Sequence, residues 1–377
     1  MTEHISMNTV RRQLLFWLGV LAVMVIFLYV FRSILLPFLA GLALAYFLDP
    51  LADFLEAKGL SRVWATVTIL IVFLILFTVG VVALAPIVST QFTQFVESAP
   101  QLYEDFRGLL TNLIARAPWL ESILEQGNGD LAQSFNELTT QATNIVTQLL
   151  RGVWTSASAL LSIAGLLVVT PVVAFYMLLD WDKMVAKIDS LVPRDHVEDV
   201  RRIGREVNEA IAGFIRGQGT VCLLLAFFYA TALSLVGLNF GLLIGLVAGL
   251  ISFVPYIGSI VGLVLSVGVA IVQYWPDAAT LATDGYTPSL ISIGIVAAIF
   301  FAGQAIEGNV LQPKLVGSSV GLHPVWLMFA LFAFGSLLGF TGMLIAVPAA
   351  AAVGVLVRFG IERYLDSDLY HGSGKAK

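Results

Sequence analysis

Two stretches of similar pattern decide the fold: VGLNFGLLIGLVAGLISFVPYIGSIVG over residues 236–262 and VGLHPVWLMFALFAFGSLLGFTGMLIA over residues 320–346. Aligned without a gap, Gly237 meets Gly321 and Gly258 meets Gly342. Each copy is an apolar run broken near its middle by glycine or proline, a pattern typical of a helical hairpin within a membrane. Paired interrupted segments of this kind point to the binding site of a transporter. We interpret the stretches as a repeat, with shared membrane composition as the alternative.

The composition places the whole chain in a membrane. Of its 377 residues, 58% are hydrophobic and 12% are charged, whereas soluble domains carry about 25% charged residues. Several apolar runs reach the ~20 residues that cross a bilayer as a helix. The sequence therefore predicts an all-α polytopic membrane protein. The single cysteine, Cys222, excludes disulfides within the chain and cysteine-rich metal sites.

The apolar runs predict about eight transmembrane or re-entrant helical units. Helices are expected over residues 14–31, 34–48, 63–86, 157–179, 218–235 and 289–306, with hairpins over about 238–274 and 324–357. The resulting domains are N-terminal transmembrane helices (1–86), an extracytoplasmic amphipathic segment (87–152), a transmembrane helix with a cytoplasmic amphipathic linker (153–217), a transport core (218–358) and a cytoplasmic tail (359–377).

The distribution of charge predicts the topology. Basic residues concentrate in 49–62, 180–217, 307–323 and the C-terminal region, whereas 87–152 and 275–288 are biased towards acidic residues. The positive-inside rule then places both termini in the cytoplasm. The first hairpin would begin from the outer side and the second from the inner side. Two inverted copies are the arrangement expected when two halves alternate access to one site.

The broken middles of the hairpins are the first candidate site. Helix breaks leave backbone amides and carbonyls that protein or a water-lined cavity must satisfy. These groups could bind ions or polar solutes without charged side chains; a simple tight turn is the alternative. The candidates are Pro255, Tyr256 and Gly258 in the first copy, and Gly339, Thr341 and Gly342 in the second.

A polar cluster after the helix at 289–306 is the second candidate. Gln304 and Glu307 are spaced to share a helix face, and Asn309, Gln312 and Pro313 follow. Ionisable groups within membrane segments are functional candidates by default, so the cluster could meet a polar substrate or a coupling proton. The alternative is a solvated helix end with Glu307 paired to Lys314.

Further residues are candidates for gating or for structural roles. Asp49 and Pro50 form a predicted helix stop, Asp180 and Asp182 lie at a predicted membrane edge, and Arg216 and Gln218 join the surface helix to a membrane helix. Asn239 and His323 occupy matching positions at the starts of the two hairpins. His323 is not expected to bind metal because no second ligand lies nearby in the sequence.

Motifs of enzymes are absent from the sequence: it has no HExxH, no P-loop and no GxSxG elbow. We therefore expect neither an enzyme nor a cofactor, and any transport would not be driven by this chain hydrolysing ATP. No long basic run suggests nucleic acid as a partner. The expected partners are a small polar solute, the lipid bilayer and, if transport is coupled, a cation or proton.

Four segments resemble the AI-2E family of bacterial permeases, also described as autoinducer-2 exporters. They are PFLAGLALAYFLDPL (37–51), PVVAFYMLLDWDKM (171–184), residues 217–258, and EGNVLQPKLVGSSVGLHP (307–324). The resemblance implies a bacterial inner-membrane transporter that exports a quorum-sensing signal in its best-known members. Other members are described as sodium/proton antiporters or general permeases. It also implies a homo-oligomer, with pentamers in the family, and an elevator-like motion of the hairpin-bearing domains.

The function stays open between three hypotheses. The first is a secondary transporter that exports small polar solutes, and the second is a sodium/proton antiporter centred on Glu307. The third is a membrane scaffold that assembles partners through residues 87–152 and translocates nothing. A passive channel is a further alternative.

Overall fold

The structure, a computed structural model, describes residues 34–116, 157–275, 287–317 and 321–371, with isolated positions between 15 and 31. Most of the helix expected at 14–31 lies outside these residues, as do 117–152 of the amphipathic segment and 276–286 of the acidic loop. Within the described residues, seven helices are long and apolar enough to cross a membrane. The prediction of an all-α, multi-pass membrane protein is confirmed.

The described helices, in chain order, are α1 (Leu35–Ala57), α2 (Arg62–Arg116), α3 (Ala157–Ser190), α4 (Val197–Leu235), α5 (Gly241–Ile251), α6 (Ile257–Tyr274), α7 (Thr287–Ile306), α8 (Pro324–Leu365) and α9 (Asp368–His371). A 3₁₀ turn, Arg194–His196, precedes α4, and a π-helical segment, Glu307–Val316, continues directly from α7.

Several predicted helix ends are wrong in the same direction. The helix predicted to end at Pro86 continues as α2 to Arg116, and the helix predicted to end at 179 continues to Ser190. The surface helix and the fifth membrane helix are one continuous helix, α4. The stretch after 306, predicted as polar connection, begins as the π-helical segment. A fall in apolar content marks where a helix leaves the hydrocarbon, and its backbone can continue into water.

The predicted stop at Asp49-Pro50 is also wrong, since α1 runs through Pro50 to Ala57. Proline lacks an N–H and so leaves the carbonyl four residues earlier, that of Tyr46, without its helical partner. Arg216 Nε donates a hydrogen bond to this carbonyl oxygen at 2.7 Å. The helix can continue because the freed carbonyl has found another donor.

The chain divides into two compact units. The first unit comprises Met1–Leu70, Gly165–Arg216 and Ser318–Lys377, and the second comprises Ile71–Ala164 and Gly217–Gly317. The hairpin at 324–357 belongs to the first unit, and the hairpin at 238–274 belongs to the second. Each unit has its own interactions and is described separately.

In the second unit, the first hairpin packs on α4 through a stripe of glycines. A Cβ atom added to Gly241, Gly245 or Gly249 would meet Leu233, Ala230 or Ala226, respectively, largely at backbone atoms. Glycines at every fourth position let two helix backbones approach closely, as at many interfaces between membrane helices. The other leg, α6, packs against both α5 and α7.

Side chains from α2 and α6 hold the start of the first hairpin. Gln91 Oε1 accepts a hydrogen bond from the Leu243 amide at 3.0 Å, which satisfies a free N–H in the first turn of α5. Gln273 Oε1 accepts from the Asn239 amide at 2.7 Å, and its Nε2 donates to the Gly237 carbonyl at 2.8 Å. Asn239 therefore takes part through its backbone.

The second hairpin is formed by α8, whose two legs meet at Gly339. Gly342 lies against Phe334, and Gly354 lies near Leu322, so the chain reverses direction between the legs. Its break matches the sequence alignment, in which Gly339 stands opposite Pro255. Both hairpins are preceded by a glycine with positive φ, 77° at Gly237 and 56° at Gly321. These matching backbone features favour the interpretation of the copies as a repeat.

Candidate functional site

A row of polar residues lies between two helices of the second unit, and we call it the polar seam. It consists of Gln218, Cys222 and Tyr229 on α4, and Gln304, Glu307 and Gln312 on α7 and the π-helical segment. A Cβ atom added to Gly217 would meet the backbone of Leu315 and Val316, and one added to Gly303 would meet the ring of Tyr229. Close contacts at both glycines bring the two polar faces together.

One end of the polar seam is joined to the tip of the first hairpin. Gln218 is 1% exposed, and its Nε2 donates a hydrogen bond to the carbonyl oxygen of Ser252 at 2.6 Å. Gln312 Nε2 in turn donates to Gln218 Oε1 at 3.2 Å. Ser252 is the first residue after α5, where the helix break leaves carbonyls without intrahelical partners. Gln218 thus couples the broken tip to the π-helical segment.

The π-helical segment sets the spacing of the polar groups beside α4. Because π-helical hydrogen bonds join residues five apart, Glu307 and Gln312 lie about one turn from each other. π-Helical turns are uncommon and are frequent at functional sites. Asn309, also a candidate, donates instead to the Ala305 carbonyl of its own helix at 2.9 Å. Its amide nitrogen is engaged locally, unlike that of Gln312.

Glu307 is half-buried, and Gln304 is its hydrogen-bond partner. Gln304 Nε2 donates to Glu307 Oε2 at 2.7 Å. The alternative of a Glu307–Lys314 pair is not seen, since no ion pair joins these two side chains, both of which lie in the described part of the chain. A carboxylate held by an amide keeps its negative charge uncompensated, so it can attract a cation or a proton.

Sequence reasoning missed Tyr229, Cys222 and Ser252. Tyr229 is fully buried, and its ring stacks on Phe300 with 4.4 Å between ring centroids. The spacing of Gln218, Cys222 and Tyr229 places them along one face of a helix. Polar residues at helical spacing within an apolar segment are the sequence signal that could have indicated the polar seam. Ser252 carried no such signal, because its contribution is a backbone carbonyl.

The first tip has a constrained backbone. Tyr256 has a φ of 69°, which is unusual for a residue with a side chain. A Cβ atom added to Gly258 would meet Ser252 and the Ala248 carbonyl, so the second leg begins directly against the end of the first. Pro255 lies between Val254, which is buried, and Tyr256, which is exposed. This tip is both a tight turn and the partner of Gln218.

The second tip lies in the first unit. Gly339 has φ 64° and ψ −142°, outside the helical region. Thr341 and Gly342 are buried. His323 caps the first leg, since its Nδ1 accepts a hydrogen bond from the Val325 amide at 3.3 Å, and Pro324 occupies the first helical position. His323 is therefore the N-cap residue of the second hairpin.

Asp49 and Arg216 belong to an ionic network of the first unit. Asp49 accepts from Arg62 Nη2 at 2.8 Å and from Arg216 Nη2 at 3.1 Å. Arg62 also pairs with Asp53 and Glu56 and donates to the Leu178 carbonyl. The network joins α1, α2, α3 and α4, and a cavity of about 50 Å³ beside it is lined by Tyr46, Trp181 and Asn208, among others. These contacts suit a structural role for Asp49, Pro50 and Arg216.

Asp180 and Asp182 have exposed or partly exposed positions near the end of α3. Asp180 pairs with Lys183 at 2.9 Å, with 47% and 76% of the two side chains exposed. Ion pairs this exposed contribute little to stability, about 0–1 kcal/mol. Between the two carboxylates, Trp181 packs edge-on against Tyr46 with 5.7 Å between ring centroids. In the described residues, no group of three or more His, Cys, Asp and Glu side chains could hold a metal ion.

The helices, the broken hairpins and the polar seam together define a multi-pass membrane protein of the transporter class. Comparison with known proteins gives the family: the AI-2E family transporter pattern matches residues 18–362, and the chain belongs to this family. It is therefore a membrane transporter.

Three relatives illustrate the similarity. The chain is 26% identical over 364 residues to the transport protein YrrI of Bacillus subtilis, covering 92% of this chain and 96% of YrrI. It is 27% identical over 332 residues to the permease PerM of Escherichia coli, with 88% of each covered. It is 24% identical over 349 residues to the AI-2 transport protein TqsA of Escherichia coli, covering 92% of this chain and 90% of TqsA. These relatives are named as transport proteins and permeases.

Proposed function

We propose that this protein is a secondary transporter that exports small polar solutes across a bacterial inner membrane, with both termini in the cytoplasm. The observation that carries the proposal is the buried hydrogen bond from Gln218 to the Ser252 carbonyl at the tip of the first hairpin. A broken helix whose carbonyl is bonded by a buried amide keeps polar groups within an apolar environment, as the discontinuous helices of transporters do. The other groups of the polar seam extend this site.

Alternating access would come from movement of a hairpin-bearing domain, in an elevator-like manner, within a homo-oligomer such as a pentamer. The family resemblance supports this part of the proposal. The tight packing of α5 on α4 supports it further, since the glycine contacts would let the hairpin and α4 move as one body.

An autoinducer-2-type furanone is the first solute to test, because one relative is named an AI-2 transport protein. Proteoliposomes that contain only the purified protein are loaded with the furanone. Its efflux is compared with efflux from furanone-loaded liposomes that contain no protein. Efflux above the background that is lost when Gly258 is changed to valine would support transport through the tip. Equal efflux with and without protein would contradict furanone transport.

Antiport of sodium and protons is a second candidate function, favoured by the half-buried Glu307 and its lack of an ion pair with Lys314 in the described structure. Glu307→Gln keeps the shape of the side chain and removes its charge. If Glu307 carries the coupling proton, this variant is expected to lose sodium flux driven by an imposed pH gradient, by about tenfold or more.

The antiport test compares the wild type, Glu307→Gln and Glu362→Gln in proteoliposomes with a sodium-sensitive dye. Glu362 is a matched control because it is a helical glutamate whose ion pair with Arg202 is largely exposed. Unchanged antiport in Glu307→Gln would rule out this mechanism.

The scaffold hypothesis is the least supported. Gln91 and Phe95, at the start of the segment proposed to assemble partners, are engaged with the first hairpin: Gln91 accepts from Leu243, and Phe95 packs edge-on against Phe240. Solute flux by the purified protein alone would exclude a role limited to assembly.

A further inference from the structure

The hydroxyl group of Tyr229 is the one polar group of the seam that is both fully buried and unsatisfied. The side chain has no exposed surface, and within the described residues its hydroxyl has no hydrogen-bond partner. Buried polar groups are nearly always paired, so each exception calls for a cause. The cause is not a loose fit, because the ring is stacked on Phe300 and held against Gly303.

The position of this hydroxyl is maintained by its surroundings. A Cβ atom at residue 303 would overlap the ring and hydroxyl of Tyr229, so the glycine leaves room for the phenol at this point of α7. Gln304, the next residue, directs its amide nitrogen to Glu307 at 2.7 Å. The phenol therefore lies beside the Gln304–Glu307 pair, whose amide nitrogen is already committed to the Glu307 carboxylate.

We infer that the Tyr229 hydroxyl is a solute-binding group of the polar seam, which donates its hydrogen bond to an oxygen of the transported solute. The inference rests on the proposed transport function and adds a specificity-determining residue to it. A donor left unpaired by the protein is free to pair with a ligand, and a site built in this way discriminates against solutes that lack the acceptor. The neighbouring amides and carboxylate offer further bonds to the same solute.

In Tyr229→Phe, we expect the protein to become more stable in the absence of solute and to bind solute less tightly. Removing an unsatisfied buried hydroxyl relieves the cost of its desolvation, so the variant without solute is expected to have a higher Tm than the wild type. If the hydroxyl binds solute, the same variant is expected to lose most of the Tm increase that solute causes. Its KM for transport is expected to rise about tenfold, while the maximal rate changes much less.

The experiment measures Tm and flux for the wild type, Tyr229→Phe and Tyr274→Phe, with the furanone, whose oxygens can accept a hydrogen bond, as the probe. Tyr274 is the matched control. Its hydroxyl also lies in the second unit, but it already donates a hydrogen bond to the Val236 carbonyl at 3.1 Å. Tyr274→Phe is expected to lower Tm and to keep the increase caused by the probe.

Three outcomes would overturn the inference. One is a probe-induced Tm increase and a KM that are unchanged in Tyr229→Phe. Another is a lower Tm for Tyr229→Phe without any probe, which would mean that the hydroxyl is satisfied within the protein. The third is a higher Tm for Tyr229→Phe with no effect of the furanone on the Tm of the wild type, which would leave the hydroxyl without a ligand. Flux by the wild type tests the transport proposal by itself. If the wild type transports and Tyr229→Phe has an unchanged KM, the role of Tyr229 is rejected and the transport proposal is not.

Discussion

Gln218→Leu is expected to abolish solute flux and to destabilise the second unit. The change leaves the Ser252 carbonyl without its donor and Gln312 Nε2 without its acceptor, both beside a side-chain position that is 1% exposed. An unsatisfied buried polar group costs about 1–3 kcal/mol, so the two together are expected to cost about 2–6 kcal/mol. The measurements are Tm in detergent and furanone efflux from proteoliposomes.

Gln273→Leu is the matched control for Gln218→Leu. Gln273 also joins two parts of the first hairpin through hydrogen bonds to backbone groups, at Gly237 and Asn239, but it lies at the end of α6 away from the tip. It is expected to lose some stability and to keep flux. Full flux in Gln218→Leu, or an equal loss of flux in both variants, would contradict a specific role for the tip.

Gly245→Leu is expected to prevent correct packing of the first hairpin. Gly245 lies at the middle of the glycine stripe, where a Cβ atom would overlap the backbone of Ala230. A flexible side chain could change its rotamer to avoid the overlap, but backbone atoms cannot. Helices α4 and α5 must therefore move apart. Overpacking costs about 1–3 kcal/mol in ordinary cores, and we expect a cost at or above the upper end of this range.

Gly268→Leu is the control, since Gly268 lies on the other leg of the same hairpin and has open space where a Cβ would be. The fraction of monodisperse protein after size-exclusion chromatography in detergent measures the effect. We expect a large loss of monodisperse protein for Gly245→Leu and a nearly wild-type fraction for Gly268→Leu. Equal yields for both would show that the close approach of α5 and α4 is unnecessary.

The features that the sequence could predict are those carried by apolar runs and their interruptions. Runs of membrane length predicted the all-α multi-pass class, and breaks at Pro255 and Gly339 predicted both hairpins. The ends of helices were harder to predict. Proline at position 50 looks like a stop when the chain is considered alone, but the Tyr46 carbonyl that it frees is bonded by Arg216, 170 positions away.

The candidate site was predicted in part, for a related reason. Gln304 and Glu307 were found because they lie one helical turn apart, and their hydrogen bond is seen. The bond from Gln218 to Ser252 depends on a backbone carbonyl 34 residues away, which no local pattern of side chains reveals. Tyr229 was missed because a tyrosine in an apolar helix is usually a core residue, and only its missing partner distinguishes it.

Modification of Cys222 tests whether the polar seam lies on the solute path. Cys222 is the single cysteine of the chain, lies in the seam and is 5% exposed. The measurement is the rate of its modification by N-ethylmaleimide in proteoliposomes, with and without furanone, together with furanone efflux after modification. Cys222→Ser provides the unreactive control. We expect furanone to slow modification several-fold, and modification to stop efflux in the wild type but not in Cys222→Ser. Complete modification with undiminished efflux would show that the polar seam does not lie on the solute path.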